Sequence, residues 1–429
     1  MACMSINSQQ FAKEFGQFIQ DSPSAYHAAD TVAKAFTAAG FKPQDETDTW
    51  DASAGGHYII RDGAIIAYRI PEGAKADHPY RILGCHTDSP TLKIKPNPDA
   101  TSPDGFNQVG VEIYGGALIN SWLDRDLEVA GRIIDRAGKT HLVRTGPIMR
   151  VPQLAIHLDR GVNDGLKLEK QQHIHPVWGV NSTETSLLGY VARLAGLESE
   201  ADIAGYDLIS ADTQAPSFLG GKQEMLAGGR MDNLVTVFAG MRAFLRLTEE
   251  TPEAITVFAA FDHEEIGSGT RAGAAGSVLE DVLRRTTTAL GGDTEAYLRA
   301  LAKSSCLSSD VGHSVHPNYP QKHDPDTRPV MGKGPMLKIN ANQRYVTDGP
   351  GTAIWRDAVE RAGVPSQEFV SHNDVPCGST IGPMAATRLG ILTVDIGVPI
   401  LSMHSIRELC HVDDLVALSK VCEAYWAGK

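Results

Sequence analysis

Apolar positions along this chain follow two rhythms. Tyr26, Ala29, Val32, Ala33 and Phe36 recur at helical spacing, which predicts a helix capped by Ser22 or Ser24 and ended by Gly40. Short apolar runs of strand length come next. HYII and AIIAYRI flank an Arg-Asp-Gly turn and predict a hairpin. RILGC stops at His86, AITVFAAF at Asp262 and CLSS at Asp310, and ILTVDIGV is a further buried strand. Helices are predicted over DNLVTVFAGMRAFLRL, over residues 352–362, over the end of Gly378–Leu389 and over 412–427. Helices alternating with buried strands predict an α/β domain with helices on both sheet faces.

The middle of the chain breaks this rhythm. From about residue 93 to 225, Pro and Gly are frequent and strand-like pieces dominate, among them QVGVEIYG, EVAGRIID and HLVRTG. This predicts a β-rich domain, 93–225, inserted into a domain made of 1–92 and 226–429. Residues 159–180, polar and rich in His and Gly, read as a long loop. A chain of 429 residues exceeds the size at which one core stops growing.

Composition excludes several classes. Apolar residues make up 42% and charged residues 21%, ordinary for a soluble globular protein. The net charge of −13 disfavours a nucleic-acid partner, because phosphate binding needs clustered Lys and Arg. The N-terminus lacks the basic start and apolar stretch of a signal peptide, and no apolar run is long enough to cross a bilayer. Cys3, Cys85, Cys306, Cys377, Cys410 and Cys422 form no C-x-x-C pair, so a reducing cytoplasm is the simplest compartment.

Candidate chemistry gathers at the ends of the apolar strands, where ligand sites of open α/β sheets form. His86 and Asp88 lie in G-C-H-T-D-S-P, where the Asp could orient a metal-binding imidazole or merely cap a turn. Asp232, in G-G-R-M-D-N-L, reads locally as a helix N-cap. Glu264 and Glu265 follow a buried strand in F-D-H-E-E-I-G-S. Adjacent side chains diverge, so one could bind a metal while the other serves as general base; a solvated acidic turn is the plainer alternative. Asp310, His313 and His316 share S-S-D-V-G-H-S-V-H-P-N-Y. Lys338, near Tyr345, reads locally as a solvated strand residue. His404 lies in S-M-H-S-I-R-E. Together these supply oxygen and nitrogen donors without thiolate, which suits zinc, manganese or cobalt at a hydrolytic site.

These motifs, in this order, resemble the aspartyl aminopeptidases of metallopeptidase family M18 over nearly the whole chain. The resemblance implies a mixed-sheet catalytic domain with an inserted β-rich dimerisation domain, and two co-catalytic divalent ions, zinc first. It implies that His86 and Asp310 bind one ion, Glu265 and His404 the other, and that Asp232 bridges them. Glu264 is then the general base, taking a proton from a bridging water that attacks the scissile carbonyl, and Asp88 supports His86. A cis peptide is implied at Asp232–Asn233. His313, Lys338 and Tyr345 are placed at the substrate, with N-terminal Asp or Glu preferred. His157 joins them from the insertion, which in this family pairs subunits and sends a loop into the neighbouring site; dimers assemble into a dodecamer. Two alternatives stand beside this: a related two-metal deacylase or dipeptidase, and a non-catalytic assembly protein on the same fold.

Overall fold

A computed structural model describes residues 6–247 and 254–428. Its main sheet has nine strands, and four parallel neighbours at its centre position the site: Ile255–Phe261, Tyr80–His86, Ser305–Ser309 and Leu392–Gly397. The hairpin Gly55–Arg61/Ala64–Ile70 lies on one side, and Met336–Lys338, antiparallel to Leu392–Gly397, lies on the other. The sheet is therefore mixed.

The pleat explains how both faces are covered. Side chains alternate along a strand, so Leu83, Cys85 and Phe258 face one core while Ile82, Val257 and Cys306 face another. The first core is closed by the helices Ser8–Asp21, Ala25–Ala38, Met231–Arg246, Gly349–Ala362 and Val412–Ala427. The second is closed by Val278–Ala289, Thr294–Ala302 and Gly382–Leu389. Burying Phe15, Phe36 or Trp426 completely contributes about 1.5–3 kcal/mol each by area alone.

Ser24, not Ser22, caps the second helix, accepting from the His27 amide. The helix Ser8–Asp21, outside the elements the apolar pattern predicts, adds Phe11, Phe15, Phe18 and Ile19 to the core. The helices Val278–Ala289 and Thr294–Ala302 also lie outside the expected elements.

A second, all-antiparallel sheet of six strands runs from Thr91–Thr101 to Ile203–Asp212 around its own core of Leu92, Val111, Val129 and Leu208. Residues Ser217–Leu219 pair instead with Met225–Gly228, which pairs in turn with Glu408–His411, beside the metal-ligand candidates. In the 159–180 segment, Val177–Val180 forms an edge strand rather than loop. Cys85, Cys306, Cys377, Cys410 and Cys422 are all free thiols, and Cys3 lies outside the described residues. Among the described residues, no helix is long and apolar enough to cross a membrane.

Candidate metal centre

Parallel strands bring the chemistry to one edge. His86 ends Tyr80–His86, and Asp310 directly follows Ser305–Ser309. Glu264 and Glu265 sit in a short 3-10 turn beyond Ile255–Phe261. His404 lies in the loop between Pro399–Ile400 and Glu408–His411.

Asp232 stands between two groups of donors. His86 Nε2 is 3.1 Å from Asp232 Oδ1 and 3.5 Å from Asp310 Oδ1. His404 Nε2 is 3.2 Å from Asp232 Oδ2 and 3.4 Å from Glu265 Oε2. In each triad, His86–Asp232–Asp310 and Asp232–Glu265–His404, the donor atoms lie within 4.8 Å of one another. Glu264 forms a further such group with His86 and Glu265.

His86 Nε2, Asp232 Oδ1, Glu265 Oε1 and Asp310 Oδ1 are buried without a hydrogen-bond partner. Buried polar atoms are nearly always satisfied, and leaving one unpaired costs about 1–3 kcal/mol. Three of these atoms belong to the His86–Asp232–Asp310 triad and Glu265 Oε1 to the other, a donor set that fits divalent cation binding.

The Asp232–Asn233 peptide is cis, and both residues have non-helical backbone angles. Asp232 is therefore not the helix N-cap that its local context indicates. Its carboxylate turns to the imidazoles, while Asn233 Nδ2 donates to the Ser309 carbonyl. The alternative of a solvated acidic turn fails for Glu265, whose side chain is 3% exposed.

Two buried carboxylates organise this cluster through the main chain. Asp88 accepts the amides of Glu264 (3.0 Å) and Glu265 (3.1 Å) and the Tyr114 hydroxyl (2.7 Å). Its contact with His86 is looser: His86 Nδ1 lies 3.4 Å from Asp88 Oδ1 but 3.0 Å from the Asp88 carbonyl. Asp88 thus acts mainly on the two glutamates. Glu408, which the motif reading missed, accepts the Asp232 amide (3.1 Å) and the His404 amide (2.8 Å). His404 has φ +63, uncommon for a residue with a Cβ, and Glu408 helps hold it there. The signal for Glu408 was only its place as the last residue of S-M-H-S-I-R-E, opening the strand Glu408–His411.

The charge balance also calls for cations. Burial alone would lower His86, but its contacts with Asp232, Asp310 and Asp88 hold it well above the ordinary imidazole value. His404, lowered by burial but raised more by Asp232, reaches about 9. Burial would raise Asp232, yet His404 and His86 hold it below the usual carboxylate range. Burial pushes Glu264 up to about 8, with Asp310, Asp232 and Asp88 adding to the rise. Burial and then Asp232 push Glu265 well above its usual value. Without metal, the surrounding carboxylates thus hold both imidazoles toward their protonated form.

Metal ligation needs neutral imidazole, so loading must expel those protons. Zinc binding at pH 7 should release at least about two protons per chain, from the imidazoles, with any held by Glu264 and Glu265 in addition, and its affinity should rise with pH until His404 titrates near 9. Calorimetry in buffers of differing ionisation enthalpy measures this. An apparent enthalpy independent of buffer would refute the protonated state.

The residues expected at the substrate separate into three settings. His313 and Tyr345 line one recess together with His316, Lys322, His323 and His372. Lys338 is not a solvated strand residue: it is 1% exposed, donates to the Val311 carbonyl at 2.8 Å and lies 5.2 Å from the Tyr345 ring centre. His157 is exposed on a loop with Leu154, Ile156 and Leu158 and lies in neither metal triad.

The sequence matches the family described as aminopeptidase I zinc metalloprotease (M18) over residues 18–426. It is 51% identical over 417 residues to a probable M18 family aminopeptidase 2 of Streptomyces avermitilis, covering 96% of both chains. A protein of the same description from Mycobacterium leprae is 42% identical over 424 residues, covering 97% of this chain and 98% of that one. Among solved structures, the fold is similar to the chain in a complex of Ape4 and Nbr1 (TM-score 0.93, 33% identity, 100% of this chain and 87% of that one). It is also similar to a mApe1 dodecamer from S. cerevisiae (TM-score 0.85, 30% identity, 98% and 97%).

Proposed function

The chain belongs to the M18 aminopeptidase family of zinc metalloproteases, and we propose that it removes N-terminal residues, acidic ones preferentially, using two divalent cations. The observation that carries this reading is Asp232, whose two oxygens each face a separate imidazole–carboxylate group containing buried, partnerless donor atoms.

His86 and Asp310 would hold one ion, Glu265 and His404 the second, and Asp232 both. Zinc is the first choice, with manganese or cobalt compatible with the same donors. Bound there, the ions supply Lewis acidity and a water acidic enough to act at neutral pH. Glu264, ion-paired to neither imidazole among the described contacts, would be the group to accept a proton from the attacking water and return it to the leaving amine. Asp88 fixes the main chain of Glu264 and Glu265, so base and ligand keep their relative placement.

The acidic preference draws on the recess beside His404. Histidines and Lys322 line it, and no carboxylate does so among the described residues. An Asp or Glu side chain would find charge-assisted donors there. Buried Lys338 adds positive charge behind Tyr345. His157 would reach a substrate only from a second subunit, and the exposed loop carrying Leu154, Ile156 and Leu158 supports such pairing. By analogy with the mApe1 dodecamer, dimers would assemble further. The free thiols favour a cytoplasmic setting.

The test is an assay on free and N-terminally blocked aminoacyl substrates, with chelator and with zinc, manganese or cobalt restored. Metal-dependent release of Asp or Glu from free termini is expected. Preference should weaken in Lys338→Met, through loss of the positive charge behind Tyr345 rather than of a direct contact. Cleavage of blocked substrates instead would favour a deacylase. Metal-dependent release of other residues would keep the chemistry and sink the acidic recess. No turnover with any metal would favour the assembly protein.

A further inference from the structure

We propose that the turn Tyr114–Gly116, where a strand of the six-stranded sheet ends, is a positioning element of the metal centre, each of its three residues fixing a different part of it. The proposal rests on the two-cation reading above.

The contacts are specific. The Tyr114 hydroxyl donates to Asp88 Oδ2 at 2.7 Å, and that same oxygen accepts the Glu265 amide at 3.1 Å. Gly115 has φ +71, and a Cβ there would lie 3.1 Å from Glu265 Cβ. The Gly116 carbonyl lies 3.1 Å from His404 Nδ1. A carbonyl can only accept, so Nδ1 carries the proton, and Nε2 is the nitrogen left to face Asp232 and Glu265. A Cβ on Gly116 would lie 3.1 Å from His404 Nδ1. Beyond the turn, the Leu118 amide donates to the His404 carbonyl at 3.0 Å, and the Ile406 amide to Ser121 Oγ at 2.9 Å.

The two halves of the centre differ in this respect. The His86 ring is oriented within its own segment, by the Asp88 carbonyl at 3.0 Å. The His404 ring depends on the other sheet. The orientation of a metal-binding imidazole by its second nitrogen is worth about 10–100-fold in metal affinity. The six-stranded sheet therefore completes the second cation position from within the same chain, apart from any part it plays between subunits.

Gly116→Ala tests this most directly. Gly116 is not among the positive-φ glycines, so the added methyl acts on His404 rather than on the backbone. Tyr114→Phe removes one hydroxyl and serves as the milder second variant. Zinc titration by calorimetry should show one ion losing about 10–100-fold in Gly116→Ala, with the other within about threefold. In the metal-free protein at alkaline pH, the imidazole 15N shifts should report His404 protonated at Nδ1, and Gly116→Ala should shift the population toward Nε2. Equal loss at both positions, or no change in either variant, overturns the proposal. If the wild-type protein binds one zinc, the two-cation reading fails. The His404 tautomer then decides separately: an Nδ1 proton that Gly116→Ala disturbs upholds the positioning role, and its absence overturns it.

Discussion

Glu264→Gln is expected to lower kcat by about a thousandfold, inside the ~10²–10⁴ range for general acid–base catalysis, while the metal content stays unchanged. Two neighbouring glutamates could compete for this role, and the geometry separates them. Glu265 faces His404 Nε2 at 3.4 Å and buries Oε1 without a partner, which suits it to the proposed ligand role. Glu264 shares the same edge, within 4.8 Å of the donor atoms of His86 and Glu265, without an ion pair of its own among the described residues. Burial and the nearby carboxylates push it up to about 8 in the metal-free chain. A carboxylate that holds a proton more readily than usual suits a base that must later return it. Glutamine keeps the shape and the main-chain contact to Asp88 but cannot carry the proton. Steady-state kinetics with metal analysis of the same sample distinguishes the roles. A loss of bound zinc in Glu264→Gln would make Glu264 a ligand, and a fall in kcat below tenfold would remove it as the base.

The strands that carry this site were legible because each is an apolar run ending abruptly in His, Asp or Glu. A parallel sheet buried on both faces requires such runs, and its strand ends are where polar side chains can gather. RILGC-His86 and CLSS-Asp310 are of this kind. Asp232 was not legible locally, because an aspartate before a helical run is ordinarily a cap. What redirects its carboxylate is the pair of imidazoles on other elements, and no local window contains them. Lys338 misled for the same reason: it is in a strand of three residues, Met336–Lys338, whose burial depends on what packs over it. Tyr114, Gly115, Gly116 and Glu408 act at a distance in sequence on Asp88, Glu265, His404 and Asp232. Their types offered only faint signals: a glycine pair ending a strand, and an acid closing the motif that holds His404.

That same convergence makes Asp232 the position with the largest expected loss. Asp232→Asn should remove at least one cation, and should lower kcat/KM by at least about a thousandfold, because several kcal/mol of charge stabilisation go with the ions. Each oxygen of Asp232 lies near one imidazole, 3.1 Å from His86 and 3.2 Å from His404. An amide offers one acceptor oxygen and places N–H donors where the second cation must sit. Repulsion at one position follows whichever way the amide turns. The backbone contacts are retained: the residue's amide can still donate to Glu408 and its carbonyl can still accept from Ser89. The loss should therefore appear in metal stoichiometry before it appears in thermal stability. A second consequence needs no metal at all. Asp232 is the chief group raising His404 against burial, to about 9, so in metal-free Asp232→Asn the His404 titration should move down toward the ordinary imidazole value. NMR titration of His404 reads this directly. If the variant keeps two zinc ions and an unmoved His404, Asp232 does not join the two halves of the centre, and the bridging assignment fails.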